Sequence, residues 1–99
     1  MKTFNEQCYD LIMQIPRGKV TTYKIIAEAL NTKAYRAVGN AMKNNPKILT
    51  VPCHRVVNSN GYVGGYVNGV EKKIEILKNE GVVISGGKIT DLKKYLFVF

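Results

Sequence analysis

Between Phe4 and Ile15 apolar residues recur at helical spacing, at Phe4, Cys8, Leu11, Ile12 and Ile15, with polar residues between them. Thr3 followed by Glu6 fits a capping box, and Pro16 and Gly18 interrupt the repeat, so a first helix is expected over Phe4–Gln14. Thr22 can cap a second over Tyr23–Leu30, with Ile25, Ile26, Ala29 and Leu30 turned inward and Asn31 closing it. Thr32 can cap a third over Lys33–Asn44. Its inward stripe is Ala34, Ala37, Val38, Ala41 and Met42, and its outer face carries Tyr35, Arg36, Gly39, Asn40 and Lys43. Two short helices joined by a few residues, the second basic on its outer face, fit a helix-turn-helix. Gly39 within a helix costs about 1 kcal/mol relative to Ala, so something is expected to approach its backbone closely. A tight helix crossing and a nucleic-acid backbone would both explain it.

After Asn44, Asn45 and Pro46 the helical pattern stops, and Ile48–Val51 runs into Pro52–Val57 as an extended apolar segment. Asn58–Gly61 is rich in turn formers, and Gly64 and Gly65 make the stretch up to Asn68 irregular, as a binding loop would be. A fourth helix is expected over Val70–Asn79, with Val70, Ile74 and Leu77 on its apolar stripe and Glu80–Gly81 at its end. Val82–Ser85 and Lys88–Thr90 flank Gly86–Gly87, a hairpin signal. The expected fold is mainly α with a small β component. It is a winged helix-turn-helix-like bundle of about four helices with a short hairpin, one domain over residues 1–99.

The 99-residue length allows one hydrophobic core with a radius of roughly 13 Å, which excludes a multidomain enzyme or a separate cofactor domain. The 45% apolar and 22% charged content is that of a globular chain rather than a disordered one. Fifteen Lys and Arg against seven Asp and Glu leave a net charge of +8. Such a balance points to a polyanion or an anionic membrane surface, and it also serves solubility. No apolar run approaches the roughly 20 residues of a membrane span, and Asn5, Glu6 and Asp10 interrupt any signal-peptide core, so a cytoplasmic protein is expected. Two cysteines, Cys8 and Cys53, cannot build the repeated Cys/His framework of a structural zinc site, and reduced thiols are expected.

The one histidine, His54, stands beside Cys53, between Pro52 and Arg55. In an extended segment adjacent side chains point to opposite faces, so His54 would reach the sulfur through water. Positive charge from Arg55 or a protonated His54 would favour the thiolate, the nucleophilic form. Spacing alone leaves the pair open between a nucleophile with its base and a buried thiol beside a surface histidine. Cys8 lies on the apolar stripe of its helix and is read as a small hydrophobe without chemistry.

Several runs together resemble the O6-alkylguanine-DNA alkyltransferases, the methylated-DNA–protein-cysteine methyltransferases. They are Ile15–Tyr23 (IPRGKVTTY), Arg36–Met42 (RAVGNAM), Asn45-Pro46, Val51–Val57 (VPCHRVV) and Asn79-Glu80-Gly81, in that order. The resemblance covers about Thr3 to Gly81, the family's C-terminal catalytic domain; many members also carry an N-terminal domain of ribonuclease H-like shape. It implies that Cys53 accepts the alkyl group from O6 of guanine in a single turnover, without cofactor or metal. His54 is then the base acting through an ordered water, oriented by Glu80, whose place at a helix C-terminus is otherwise unfavourable. Asn45 resembles the residue joining the helix-turn-helix to the active-site strand, and Tyr23 the donor to a guanine ring nitrogen.

The loop Val63, Gly64, Gly65, Tyr66 and Val67, running on to Val70, is implied to close over an extruded base and to give backbone donors to O6. Val67 and Asn68 depart from the family's usual Ser or Gly followed by Gly. Arg36 matches the inserted arginine that fills the space of the flipped base, and Ala37, Gly39 and Ala41 are small enough for close approach to the minor groove. Tyr35, Asn40 and Lys43 share that DNA-facing surface, with Lys19, Lys24, Lys33 and Lys47 as phosphate contacts. The implied partner is double-stranded DNA containing O6-alkylguanine, bound by a monomer, with no membrane. The alternative is an alkyltransferase-like protein that flags lesions without transfer; such proteins characteristically replace the cysteine, commonly by tryptophan, so Cys53 favours the transferase. The apolar tail Tyr95–Phe99 lies beyond these motifs.

Overall fold

In the computed structural model, residues 2–47 and 50–99 are described. The order of elements is α1 (Phe4–Ile12), β1 (Thr21–Thr22), α2 (Tyr23–Ala29), α3 (Tyr35–Lys43), a 3-10 turn (Cys53–Arg55), β2 (Val56–Val57), α4 (Val70–Asn79), β3 (Ile84–Ser85), β4 (Lys88–Ile89) and α5 (Leu92–Tyr95). The chain is mainly helical with a small β component, as the pattern predicts; beside the expected hairpin β3–β4 it holds a parallel β1–β2 pair that the pattern does not predict. α1 starts with the full capping box, Thr3 Oγ1 accepting from Glu6 N–H and the Glu6 carboxylate accepting from Thr3 N–H. It stops two residues short of the expected Gln14. α2 is capped by Thr22 as expected, and Asn31 closes it in the left-handed region at φ 56°. The Gly86–Gly87 hairpin forms, both glycines at the positive φ that a tight two-residue turn requires.

α3 departs from expectation at its start. Thr32 Oγ1 accepts from Ala34 N–H, a local turn that uses up the side chain meant as a helix cap, and the helix begins only at Tyr35. Ala34 therefore lies outside the helix and exposed, while Val38, Ala41 and Met42 are the buried stripe. A Cβ built on Gly39 would meet nothing within 4 Å, which removes the tight helix crossing as its explanation. α5 was not expected; its Tyr95 turns inward and donates no helix-long stripe to read.

Two clusters make the core. One joins α1, α2 and α3 through Cys8, Ile12, Ile26, Val38 and Ala41; the other joins α4 to the hairpin and tail through Val20, Leu77, Val82, Ile89 and Tyr95. Thr21↔Val56 and Thr22↔Val57 pair in parallel between the clusters. The chain entering α2 is thereby fixed beside the chain leaving Cys53. Tyr9 Oη donates to Ala41 O at 2.8 Å, tying α1 to α3. The tail docks on the same region: Val20 N–H donates to Tyr95 O at 2.8 Å and Phe97 N–H to Val20 O at 2.7 Å.

The expected extended run through Ile48–Val57 is corrected where it is described. Ile48 and Leu49 lie outside the described residues, and Cys53–Arg55 forms one 3-10 turn, Arg55 N–H donating to Pro52 O at 3.0 Å, before the strand begins at Val56. Adjacent side chains there do not alternate, and both Cys53 and His54 are buried.

Candidate active site

Three chain segments converge on the turn that carries Cys53. The Pro16–Gly18 corner seats on the end of α4: Arg17 Nη2 donates to Asn79 O at 2.8 Å, and Gly18, at φ 85°, comes so near that an added Cβ would lie 3.2 Å from Glu80 O. Only glycine accepts that backbone conformation at low cost. The corner and α4 together present Glu80 to the turn.

There Glu80 accepts from three donors. Arg55 binds it in a fork, Nε to Oε1 at 3.0 Å and Nη2 to Oε2 at 2.6 Å, and His54 Nε2 lies 3.2 Å from Oε2. The Glu80 side chain is 8% exposed. Burial works to raise its pKa, but the hydrogen bonds from Arg55 and His54 outweigh it and hold the carboxyl below its ordinary value. Arg55 also donates to Ile15 O at 2.9 Å. It is therefore committed to Glu80 and the α1 exit, which corrects the expectation that its charge would favour a Cys53 thiolate directly.

Burial pushes the His54 pKa down, against the raising effect of Glu80, so the ring is neutral near pH 7. Because a carboxylate only accepts, the network assigns the proton to Nε2 and leaves Nδ1 as an acceptor. Tyr66 meets the His54 ring edge-on, with centroids 6.5 Å apart.

Cys53 is 4% exposed and opens onto a cavity of about 460 Å³ lined by Met42, Lys43, Gly65, Tyr66 and Val67. The loop residues Gly65, Tyr66 and Val67 thus form one wall. Val63 does not: it is buried in the second core cluster and its N–H donates to Gly87 O at 3.1 Å. Gly64, at φ 76°, packs between the Tyr23 hydroxyl and the Asn58 side chain. Burial, and then negative charge on Cys53, raises the Tyr23 pKa, so its hydroxyl stays protonated and able to donate. Asn45 bridges from α3 toward the turn, Nδ2 donating to Val51 O and Oδ1 accepting from Lys47 N–H, both at 2.9 Å. Among the described residues no group of three or more His, Cys, Asp or Glu is placed to hold a metal ion.

The residues of the DNA-facing set divide. Tyr35, Arg36 and Gly39 line a groove of about 590 Å³ with Tyr23, Lys24 and the Asn58–Asn60 turn. Lys43 lines the Cys53 cavity instead, Ala37 is half-buried, and Asn40 is exposed beside neither. The part of the Asn58–Asn60 turn in this groove was missed by sequence reasoning. So was Lys73, fully buried on α4 where Val70 was expected and is in fact 45% exposed. Its signal was present, since Lys73 falls between Val70 and Leu77 at helical spacing.

Residues 3–82 match the family described as "6-O-methylguanine DNA methyltransferase, DNA binding domain", an interval that includes Cys53, His54 and Glu80. The chain is 49% identical over 81 residues to a methylated-DNA–protein-cysteine methyltransferase of Saccharolobus solfataricus, covering 82% of this chain and 52% of that one. It is 46% identical over 90 residues to a bifunctional methyltransferase/endonuclease of Picrophilus torridus, covering 90% of this chain and 30% of the other. Among solved structures, S. pombe Atl1 in complex with damaged DNA containing O6-carboxymethylguanine superposes with a TM-score of 0.85 at 33% identity, covering 98% of each chain. The chain thus spans about half or less of the curated relatives it matches, and nearly all of that structure. With its fold, its Pro52–Val57 segment and its match over residues 3–82, the chain belongs to the 6-O-methylguanine DNA methyltransferase family.

Proposed function

We propose that residues 1–99 act as one DNA-repair unit that takes the alkyl group of O6-alkylguanine, mainly O6-methylguanine, from double-stranded DNA onto Cys53, once per molecule. What supports it most is the placing of a reduced, cavity-facing Cys53 in the same turn as a neutral His54 held by Glu80. Nδ1 of His54 takes the thiol proton, through a water where the reach requires it, and the imidazolium that forms is stabilised by Glu80. The sulfur then forms a bond to the alkyl carbon as the carbon–O6 bond breaks. Charge flows into the guanine ring, Tyr23 donates to a ring nitrogen, and the departing base regains a proton. The thioether is stable and the chain offers no group to remove it.

A guanine paired in a duplex cannot reach a buried sulfur, so it must rotate out. Arg36, exposed on the outer face of α3 beside open space at Gly39, is suited to fill the vacated position. Lysines on this face, with the net charge of +8, supply phosphate contacts. No helix among the described residues is long and apolar enough to cross a membrane, and we place the protein as a monomer in the cytoplasm, with the DNA.

The near-complete superposition on S. pombe Atl1 favours a second reading, a lesion-binding domain without transfer. A duplex carrying one O6-methylguanine separates the two. The proposal expects loss of the methyl group in proportion to protein added, stopping at one per molecule; lesion binding with every methyl group still in the DNA contradicts it. Arg36→Ala should slow transfer from duplex by about tenfold or more while changing reaction with free O6-benzylguanine less than about twofold, because only the duplex requires extrusion. Single-turnover kinetics on both substrates check this, and equal losses would place Arg36 in the cavity chemistry or in folding.

A further inference from the structure

Lys73 is 0% exposed, the one lysine among the buried polar residues of the described chain. It stands on the inward face of α4, whose outer face carries Glu71, Lys72, Glu75 and Lys78. Its ammonium is directed at two carbonyl oxygens: Nζ donates to Val56 O at 2.6 Å and to Gly65 O at 3.1 Å. Val56 directly follows the turn that holds Cys53 and His54, and Gly65 opens the loop wall of the Cys53 cavity. Leu or Met would fill the same stripe without the desolvation that burying a charge entails, so packing alone does not account for a lysine here.

Gly65, Tyr66 and Val67 are held by few polar bonds, with Tyr66 packing on the first core cluster and meeting the His54 ring edge-on. The backbone bond nearest the wall is Gly69 N–H to Tyr66 O, which closes the loop on itself rather than onto the strand. Tyr66 is half-buried and Val67 is exposed. The described side-chain bond from this wall to the rest of the domain is the one to Lys73. Burial pushes the Lys73 pKa down to about 8, and negative charge on Cys53 works in the other direction, so ammonium and sulfur also sense each other.

Resting on the alkyl-transfer reading above, we propose that Lys73 is the positioning residue of this site: its ammonium clamps the Gly65–Val67 loop wall to the active-site strand at Val56, fixing where the extruded base and its alkyl group sit relative to Cys53. Lys73 touches neither substrate nor sulfur in this role. A loosened wall lets the alkyl carbon drift from the line of attack, and misplacement by about 1 Å can cost on the order of a hundredfold in rate.

The test compares the unsubstituted protein with Lys73→Met, which keeps length and apolar contact, and Lys73→Arg, which restores a cation with several donors. Lys73→Met should lower the single-turnover transfer rate from O6-methylguanine duplex, at saturating protein, by about tenfold or more. Affinity for unmodified duplex should stay within about twofold, since it does not use the wall, and the rate at which iodoacetamide alkylates Cys53 should fall by much less than the transfer rate, through the loss of a nearby charge alone. Chymotryptic cleavage after Tyr66 should become about fivefold faster without new cuts in α1 or α3, and Lys73→Arg should recover part of both effects. An unchanged transfer rate and unchanged cleavage would overturn the clamp. So would a parallel fall in iodoacetamide reactivity, which would make Lys73 a partner of the sulfur, or faster cleavage throughout, which would make it a packing residue. If Lys73→Met does not fold, Lys73→Gln, which can reach one carbonyl but not both, is read against the same outcomes. Absence of transfer in the unsubstituted protein would instead sink the transferase reading, and cleavage after Tyr66 would still decide the clamp.

Discussion

Cys53→Ala should abolish alkyl transfer while leaving affinity for duplex DNA unchanged or tighter. Cys53 is the one thiol among the residues lining the cavity, and the thioether of Met42, with no proton to give up, is a far weaker nucleophile than a thiolate. Phosphate contacts, proposed above for the outer face of α3 and its neighbours rather than the cavity, would supply most of the affinity. The truncation removes one buried atom and should cost about 1 kcal/mol of stability, well within what a folded domain tolerates. Cys53→Ser should be equally inactive, because a hydroxyl beside a neutral histidine is a far weaker nucleophile than a thiolate. Methyl release from labelled duplex and fluorescence anisotropy on the same DNA read the two halves of this expectation. Residual transfer by Cys53→Ala would move the acceptor elsewhere, and a loss of DNA binding matching the loss of transfer would mean that Cys53 holds the domain together.

Glu80→Ala should damage the protein twice. The Arg55 guanidinium, 15% exposed, and the buried His54 ring would both lose their carboxylate. Removing one partner of a buried pair typically costs about 3 to 5 kcal/mol, much of it the charge left uncompensated, and the residual exposure here points to the lower end. His54 would also lose the bond that fixes its tautomer, so the transfer rate should fall by about a hundredfold or more in whatever fraction folds. Glu80→Gln keeps the volume and should restore more of the melting temperature than of the rate.

The pH dependence has a definite sign. The Glu80 carboxyl is held below its ordinary value when folded, so its stabilising contribution is complete above the unfolded carboxylate pKa of about 4.3 and is lost as pH falls through the lower folded value. His54, also depressed when folded, loses its contribution in the same direction, as pH falls below the unfolded histidine value of about 6.5. Thermal melting from about pH 4.5 down to about 3, where the Glu80 carboxyl loses its charge, should show the gap between the unsubstituted protein and Glu80→Ala narrowing toward the acid end. A gap that stays constant or widens would mean that the ion pair contributes nothing through its charge.

Elements whose signals are local were legible in the sequence. The Thr3–Glu6 box, the Thr22 cap, the bounds of the Val70–Asn79 helix and the double glycine of the hairpin each depend on signals within a few residues, and each forms. The misreadings come from competition or from distance. Thr32 had two uses for one hydroxyl, and the local turn to Ala34 took it. The 3-10 turn at Cys53 depends on Pro52 and on what holds Val56, and Val56 pairs with Thr21 from far along the chain. Lys73 is visible in the sequence as a lysine at an inward position of α4, but its partners are not, because they are backbone carbonyls that carry no residue identity. Arg55 looked like a charge for the thiol because its fork onto Glu80 exists only after α4 and the Pro16–Gly18 corner are docked. Candidate chemistry at Cys53, His54 and Glu80 came from the resemblance of whole motifs, since spacing alone left the Cys-His pair open.

The central claim is that Cys53 leaves the reaction carrying the alkyl group. Intact-protein mass spectrometry after incubation with excess duplex containing O6-methylguanine, followed by peptide mapping, tests it most directly. Complete conversion to a species heavier by one methyl group, located on the peptide that holds Cys53 and absent from Cys8, is the expected result. Unmodified protein recovered from a tight complex with the still-methylated duplex would contradict it and establish the domain as a lesion binder.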